Sequence, residues 1–277
     1  MPTQSADQRF ENALKIFETQ VAETTQFWFA AAAMDEVALR DEDTLKALNL
    51  TPSFWIAARV AMEHQAILTS AKIFGPRKTN PHNIDFLFQV VRETRADVFS
   101  KTALEARKRK GSPNADNWIG EYMKKVHVPT VIEVNRLHEL SKRHRRTYET
   151  QYADVRNLHV AHNVLVEPND RSAMFQKTKI KDFAKLVMFL NQLRRALWEM
   201  YHNGARPKLR PMPYSIRSLV AKRLSDLSDN STTEHIVAEA RMCMTLITQA
   251  ASALRENDSR TLRWPDRCVS DAVATRG

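Results

Sequence analysis

The sequence predicts an all-α fold, an up-and-down helical bundle with a C-terminal helical extension. Only five glycines occur in 277 residues, and a wealth of Ala, Leu, Lys, Arg and Glu favours helix over sheet. Apolar residues recur at spacings of three and four over long stretches, whereas no alternation at period two runs far enough to mark a strand. There is no internal repeat. At 31.9 kDa the chain can build a sizeable core, as one large domain or a domain with an appendage. The expected division is a bundle over 1–203, a proline-rich basic linker over 204–214, a helical extension over 215–256 and a disordered tail over 257–277.

Phe10, Ala13, Leu14, Phe17, Val21, Trp28 and Ala31 draw the stripe of an amphipathic first helix. Thr51-Pro52 reads as an N-cap followed by proline at the first helical position. The helix behind it, Ser53 to Phe74, is apolar on more than one side, which predicts the central helix of the bundle. Gly75-Pro76 ends it. After Asn80-Pro81, residues Ile84, Leu87, Phe88 and Val91 mark a short helix, and Ala96 to Lys110 marks another. The run Arg107-Lys108-Arg109-Lys110 suits a helix C-terminus, where cations meet the negative end of the dipole. Ser112-Pro113-Asn114 is a loop. Pro129 opens a helix carrying Val131, Val134, Leu137 and Leu140, which reaches the basic run Arg143-His144-Arg145-Arg146. Pro168-Asn169-Asp170 is a turn. Phe183, Leu186, Val187, Leu190, Leu193, Leu197 and Met200 give the cleanest stripe in the chain, closed by Asn203-Gly204 as a C-cap. Pro207, Pro211 and Pro213 break helix and mark the linker. A short helix over Ile216 to Leu224 follows. Ser231-x-x-Glu234 then reads as a capping box before Ile236, Ala240, Met244, Ile247 and Leu254.

The formal net charge is +10 and the isoelectric point about 9.7. Such a chain attracts polyanions, nucleic acid first, with acidic proteins or membrane surfaces behind; a merely solvated surface accounts for the charge equally well. The two cysteines, Cys243 and Cys268, are too far apart for a metal motif and form no disulfide framework, so a reducing, cytoplasmic setting is expected. Met1 to Asp7 is polar, without a secretory pattern, and Phe27 to Met34 is too short to span a bilayer. No membrane association is expected. Absence of a phosphate-cradling glycine loop, of Gly-x-Ser-x-Gly and of paired cysteines argues against P-loop, acyl-transfer and redox chemistry.

The most informative stretch is Arg156-Asn157-Leu158-His159-Val160-Ala161-His162. It supplies a fixed cation, a hydrogen-bonding amide and an imidazole that titrates near neutrality. Such a set can cleave RNA without metal: the imidazole takes the ribose 2′-OH proton while the guanidinium stabilises charge on the attacked phosphate. In one continuous α-helix Arg156 and His162 diverge by about 120°, six steps of roughly 100°. A partner subunit or a bend is therefore needed to bring such groups to one phosphate. The same residue types also arise by chance in a basic chain with nine histidines, where they cap or pair locally.

With long helices on either side, Arg-Asn-x-His-x-Ala-His resembles the motif of the HEPN superfamily, the higher-eukaryote and prokaryote nucleotide-binding domains, and most of all its abortive-infection branch. The resemblance covers roughly Phe10 to Asn203. It implies an up-and-down α bundle of HEPN type and a metal-independent endoribonuclease of a prokaryotic defence or toxin system. Arg156 is then the phosphate-binding cation, His162 the catalytic imidazole and Asn157 their polar partner. It further implies a homodimer whose two motifs share one cleft, with an antitoxin or other defence-system protein as a partner. Leu158 stands where that branch commonly has lysine. Val164 stands where toxins paired with a nucleotidyltransferase antitoxin have tyrosine. The alternative is a catalytically inactive module of the same fold that binds RNA, nucleotide or a protein.

Beside the motif, Arg143, Arg145 and Arg146 are candidates for tracking an RNA backbone, with His159 near the site; a solvated helix end explains the three arginines as well. Tyr148 and Tyr152, spaced i, i+4, fit core packing better than base stacking. His159 and His162 lie at i, i+3, but only Asp154 and Glu167 stand near as third ligands, and neither His-x-x-x-His nor His-Glu-x-x-His occurs. No metal and no cofactor are expected.

Overall fold

Helix dominates the described residues. The computed structural model describes residues 4–157, 178–209, 215–222, 224–227 and 232–257, and no strand occurs among them. The all-α expectation therefore holds for the described chain. The expected tail beyond 257, Cys268 and residues 210–214 of the linker lie outside it.

The first helix, α1 (Ala6–Arg40), is 35 residues long and is capped by the Ser5 side chain, which accepts from the Gln8 N–H. The chain turns at Asp41, which caps the short α2 (Glu42–Leu48), and continues into α3 (Pro52–Phe74) and α4 (Ile84–Val98). Then come α5 (Lys101–Gly111), α6 (Ile119–Lys124), α7 (Val131–Gln151) and α8 (Ile180–Asn203). The short α9 (Ile216–Ala221) and the long α10 (Thr232–Asn257) follow. Neither α2 nor α6 stands out in the sequence, because one or two turns are too short to show a period.

Three expectations about elements are corrected. Ser53 to Phe74 is not the centre of the bundle; α1 is, lying against α2, α3, α4, α8, α9 and α10. Only the second half of α3 is buried, at Ala66, Thr69, Ser70, Ala71, Ile73 and Phe74, whereas Phe54 is 64% and Ile56 52% exposed. Side-chain size explains the buried half: Ala66, Ser70 and Ala71 are small, and Thr24 Oγ1 donates to Thr69 Oγ1 at 3.0 Å across the α1–α3 contact. The second correction is a break inside Ala96 to Lys110. Helix α4 ends at Val98, and Ser100 caps a new helix by accepting from the Ala103 N–H. The third is the helix from Ile216, which stops at Ala221 rather than at Leu224.

Neighbouring helices run antiparallel. Along α1 and α8 the pairs are Tyr201 with Glu11, Asn191 with Thr25, and Phe183 with Trp28. Between α4 and α7, Arg95 donates to the Pro129 carbonyl at one end and Arg145 to Asp85 at the other. Between α7 and α8, His144 meets Phe189 and Gln151 meets Asp182. Helix α8 ends where expected: Gly204 adopts φ 54°, and a Cβ there would lie 2.6 Å from Leu104 and 2.7 Å from Val126. The C-terminal helices belong to the same core, since Val220, Val237 and Met244 join the main apolar cluster. Thr44 of α2 also hydrogen-bonds Thr248 of α10 at 2.8 Å.

Candidate functional site

Helix α7 delivers the motif. Its start is fixed by a capping box the sequence reading did not single out: Thr130 accepts from the Glu133 N–H, and Glu133 accepts from the Thr130 N–H. Val134, Leu137, Ser141 and Tyr148 then turn one face inward. Tyr148 and Tyr152 are each 3% exposed. Tyr148 stacks on Phe74 with centroids 5.7 Å apart, and Tyr152 meets Phe183 edge-on at 5.0 Å. These rings are core, as their spacing suggested. Burial pushes both phenols above their ordinary pKa, so both stay protonated donors.

The polar tips of these residues lock the end of α7 to the start of α8. Tyr152 Oη donates to the Lys179 carbonyl at 2.6 Å, and Gln151 Nε2 donates to Asp182 at 3.1 Å. Helix α7 ends there, with Tyr152 at φ −123° and ψ −18°. The chain resumes as helix at 153–154 and widens into a π-type turn over 155–157, a local geometry that recurs where side chains are aimed for function. The motif thus begins at a break in the helix.

Arg156 is half-buried on this turn. Its N–H donates to the Tyr152 carbonyl at 2.9 Å, and Nη1 donates to Asn157 Oδ1. The guanidinium lies close enough to Tyr148 to pull that phenol's pKa partly back down. Arg156 Nε is buried and finds no hydrogen-bond partner among the described residues. The structure therefore brings Arg156 and Asn157 together. His159 and His162 lie outside the described residues, as do Leu158 and Val164.

The three arginines ahead of the motif differ. Arg145 turns into the bundle, where Nη1 donates to Asp85 Oδ2 at 2.6 Å. His138 joins the same carboxylate at 2.9 Å. Arg92 contacts His138 Nδ1 and can only donate, so Nδ1 accepts and Nε2 carries the proton that Asp85 receives. Burial would raise the Asp85 carboxyl, but Arg145 and His138 outweigh it and hold the carboxyl below its usual range. Arg145 thus ties α7 to α4, whereas Arg143 and Arg146 are exposed.

A groove beside this end of the bundle was not anticipated. It encloses about 510 Å³ between α7 and α8, with Leu140, His144, Met188 and Phe189 along it and Lys181 and Lys185 at its edge. The His144 ring stacks on Phe189 at 3.9 Å, tilted only 16°. Burial lowers the His144 pKa to about 4, so the ring is neutral at pH 7. One signal for this lay in the sequence: Val134, Leu137, Ser141, His144 and Tyr148 follow one another at three and four, placing His144 on the inward stripe rather than in a solvated basic run.

Comparison with family models, curated proteins and solved structures finds no match to this chain. The site therefore rests on its own chemistry. Among the described residues no group of three or more His, Cys, Asp or Glu is placed to hold a metal. No described helix is long and apolar enough to cross a membrane. The end of α7 offers a braced guanidinium beside an amide, and the α7–α8 groove offers lysines and an aromatic wall. The first can bind a phosphodiester, and the second suits a planar ring.

Proposed function

We propose that this protein is a metal-independent endoribonuclease of a prokaryotic defence or toxin system, built on a HEPN-like bundle. The observation that carries the reading is the Arg156–Asn157 pair, held on a non-α turn that Tyr152 braces against the start of α8. In the proposed reaction Arg156 binds the scissile phosphate and Asn157 orients the guanidinium. His162 removes the proton from the ribose 2′-OH, whose oxygen attacks the adjacent phosphorus and expels the 5′-oxygen of the next nucleotide, which takes a proton from water as it leaves. The products are a 2′,3′-cyclic phosphate and a 5′-hydroxyl. A homodimer with both motifs at one two-fold axis doubles the number of cations and bases in the cleft.

The test is cleavage of a single-stranded RNA by the purified full chain in EDTA, with end-group analysis of the products. Arg156→Ala and His162→Ala are expected to lower the rate at least a hundredfold while shifting stability by less than about 1 kcal/mol. Cleavage that stops with chelator and returns with magnesium would overturn the metal-free mechanism. The binding-only alternative draws on one observation, the half-buried setting of Arg156 against Tyr148. It predicts RNA retention without cleavage, together with a marked loss of stability in Arg156→Ala.

A further inference from the structure

A second cationic cavity lies at the far end of α8. Helix α8 has 24 residues, so at about 1.5 Å per residue its two ends are about 35 Å apart. The Arg156 turn is braced at the Lys179 end, while this cavity, of about 330 Å³, opens beside His202. Its lining is Arg107, Lys108, Gly111, Ser112, Trp118 and His202. That volume is at the small end of the range for small-molecule sites, which suits a single compact ligand.

The residues differ in what already holds them. Arg107 is committed to the fold: Nη1 pairs with Asp7 at 2.8 Å, Nη2 donates to the Val98 and Tyr201 carbonyls, and the guanidinium lies 4.1 Å from the Tyr201 ring centroid. Lys108 donates to the neutral Asn203 Oδ1 at 3.1 Å and sits 5.2 Å from the Tyr122 ring centroid. Glu199 stands behind Asn203, accepting from its Nδ2 at 2.8 Å. Burial, then Arg107 and Lys108, lower the His202 pKa, and the acids Glu11 and Glu199 offset this only in part. The charged side chains that line the cavity, Arg107 and Lys108, are both cations. Two indoles stand by: Trp118, 36% exposed, lines the cavity, and Trp198, 42% exposed, packs against His202 with centroids 4.5 Å apart. Gly111 leaves open space where any other residue would put a side chain.

We propose that this cavity binds a nucleotide unit, with its phosphate on Lys108 and the Arg107 edge and its planar base against Trp118 and His202. The ligand class follows from the lining. Cations select an anion, an indole and an imidazole select a flat ring, and a nucleotide supplies both within one small volume. The unit comes either from a free mononucleotide or from the end of a nucleic-acid strand. Neither case depends on catalysis at Arg156.

The experiment is titration of the full chain, followed by tryptophan fluorescence and calorimetry. The probes are adenosine 5′-monophosphate, adenosine, inorganic phosphate and a single-stranded RNA hexamer with or without a 5′-phosphate. Adenosine 5′-monophosphate is expected to bind saturably, more tightly than adenosine or phosphate. Lys108→Ala should weaken it roughly tenfold through loss of a charge-assisted contact. Trp118→Phe should remove most of the fluorescence change, and Arg156→Ala should alter neither. Measured in Arg156→Ala, which removes the proposed RNA contact and cleavage at the motif, tighter binding of the 5′-phosphorylated hexamer than of the mononucleotide identifies a strand end; the reverse order identifies a free nucleotide. No saturable binding of any phosphorylated probe at millimolar concentration overturns the proposal, and so does unchanged affinity in Lys108→Ala. Because Arg156→Ala acts only at the motif, failure of the nuclease and failure of this cavity read out separately.

Discussion

At the residue scale, two side chains show how burial changes the meaning of a basic run. Arg107 opens the run at the end of α5, yet it joins the N-terminus of α1 through Asp7, the end of α4 through the Val98 carbonyl and the end of α8 through Tyr201. Its side chain is only 18% exposed. Arg107→Ala should cost about 1–3 kcal/mol, the range for losing hydrogen bonds to a charged group, read as a lower urea midpoint. Lys110→Ala in the same run, at an exposed position, should change stability by less than about 0.5 kcal/mol. His144 gives a prediction in pH. Its folded pKa is about 4, below the ordinary value of 6.5, because burial disfavours the charged ring. The unfolded chain therefore binds the extra proton first. Stability from the neutral ring is present above pH 6.5 and is lost as the pH falls towards 4, by about 3 kcal/mol at most. The charged groups sharing its groove are Lys181 and Lys185. His144→Phe keeps a ring against Phe189 but removes the titration. The fall in its denaturation midpoint between pH 6.5 and 4 should be shallower than in the unmodified protein, and an identical slope would exclude His144 as a source.

At the element scale, α3 separates composition from burial. Both halves are apolar in sequence, but only the second lies in the core. Ile73→Ala should cost about 2–5 kcal/mol through lost burial and a cavity, whereas Ile56→Ser should stay within about 0.5 kcal/mol. Thermal melts of the two variants check this, and comparable losses would mean that the first half of α3 is covered in solution. Helix α7 shows the complementary case. Its inward stripe, its capping box and the tyrosine contacts to α8 make a rigid mount, and the departure from α-geometry falls just beyond it. Placing a functional pair next to a braced break gives it an orientation that a continuous helix would not.

At the scale of the whole molecule, the C-terminal helices are part of the fold rather than a loose attachment. Helix α10 packs on α1 and α2, Val237 is fully buried, and Arg241 donates to the Val220 and Lys222 carbonyls of the segment before it. Ending the chain before Ser215 strips one side of α1, the bundle's spine. The truncated protein should melt well below the full chain or fail to fold. A melting temperature within a few degrees of the full-length value would show that the core closes without α9 and α10.

The all-α class, the positions of α1, α7 and α8, and the cap at Gly204 were legible in the sequence. They depend on local rules: apolar spacing at three and four, N-cap side chains, and a glycine where the backbone must turn left-handed. The candidate site was legible as a string of residue types, Arg156 and Asn157 among them. Which helix became the spine was not legible, because hydropathy counts apolar side chains and not the neighbours a topology supplies. For the same reason the sequence could not divide its cations. Arg145 and Arg107 serve internal carboxylates and carbonyls, while Arg143, Arg146, Lys181 and Lys108 face solvent or a cavity. A charge becomes structural or available only when distant segments fold against it. The carboxylate that each one pairs with is 60 residues away from Arg145 and 100 from Arg107, and only tertiary structure closes separations of that length.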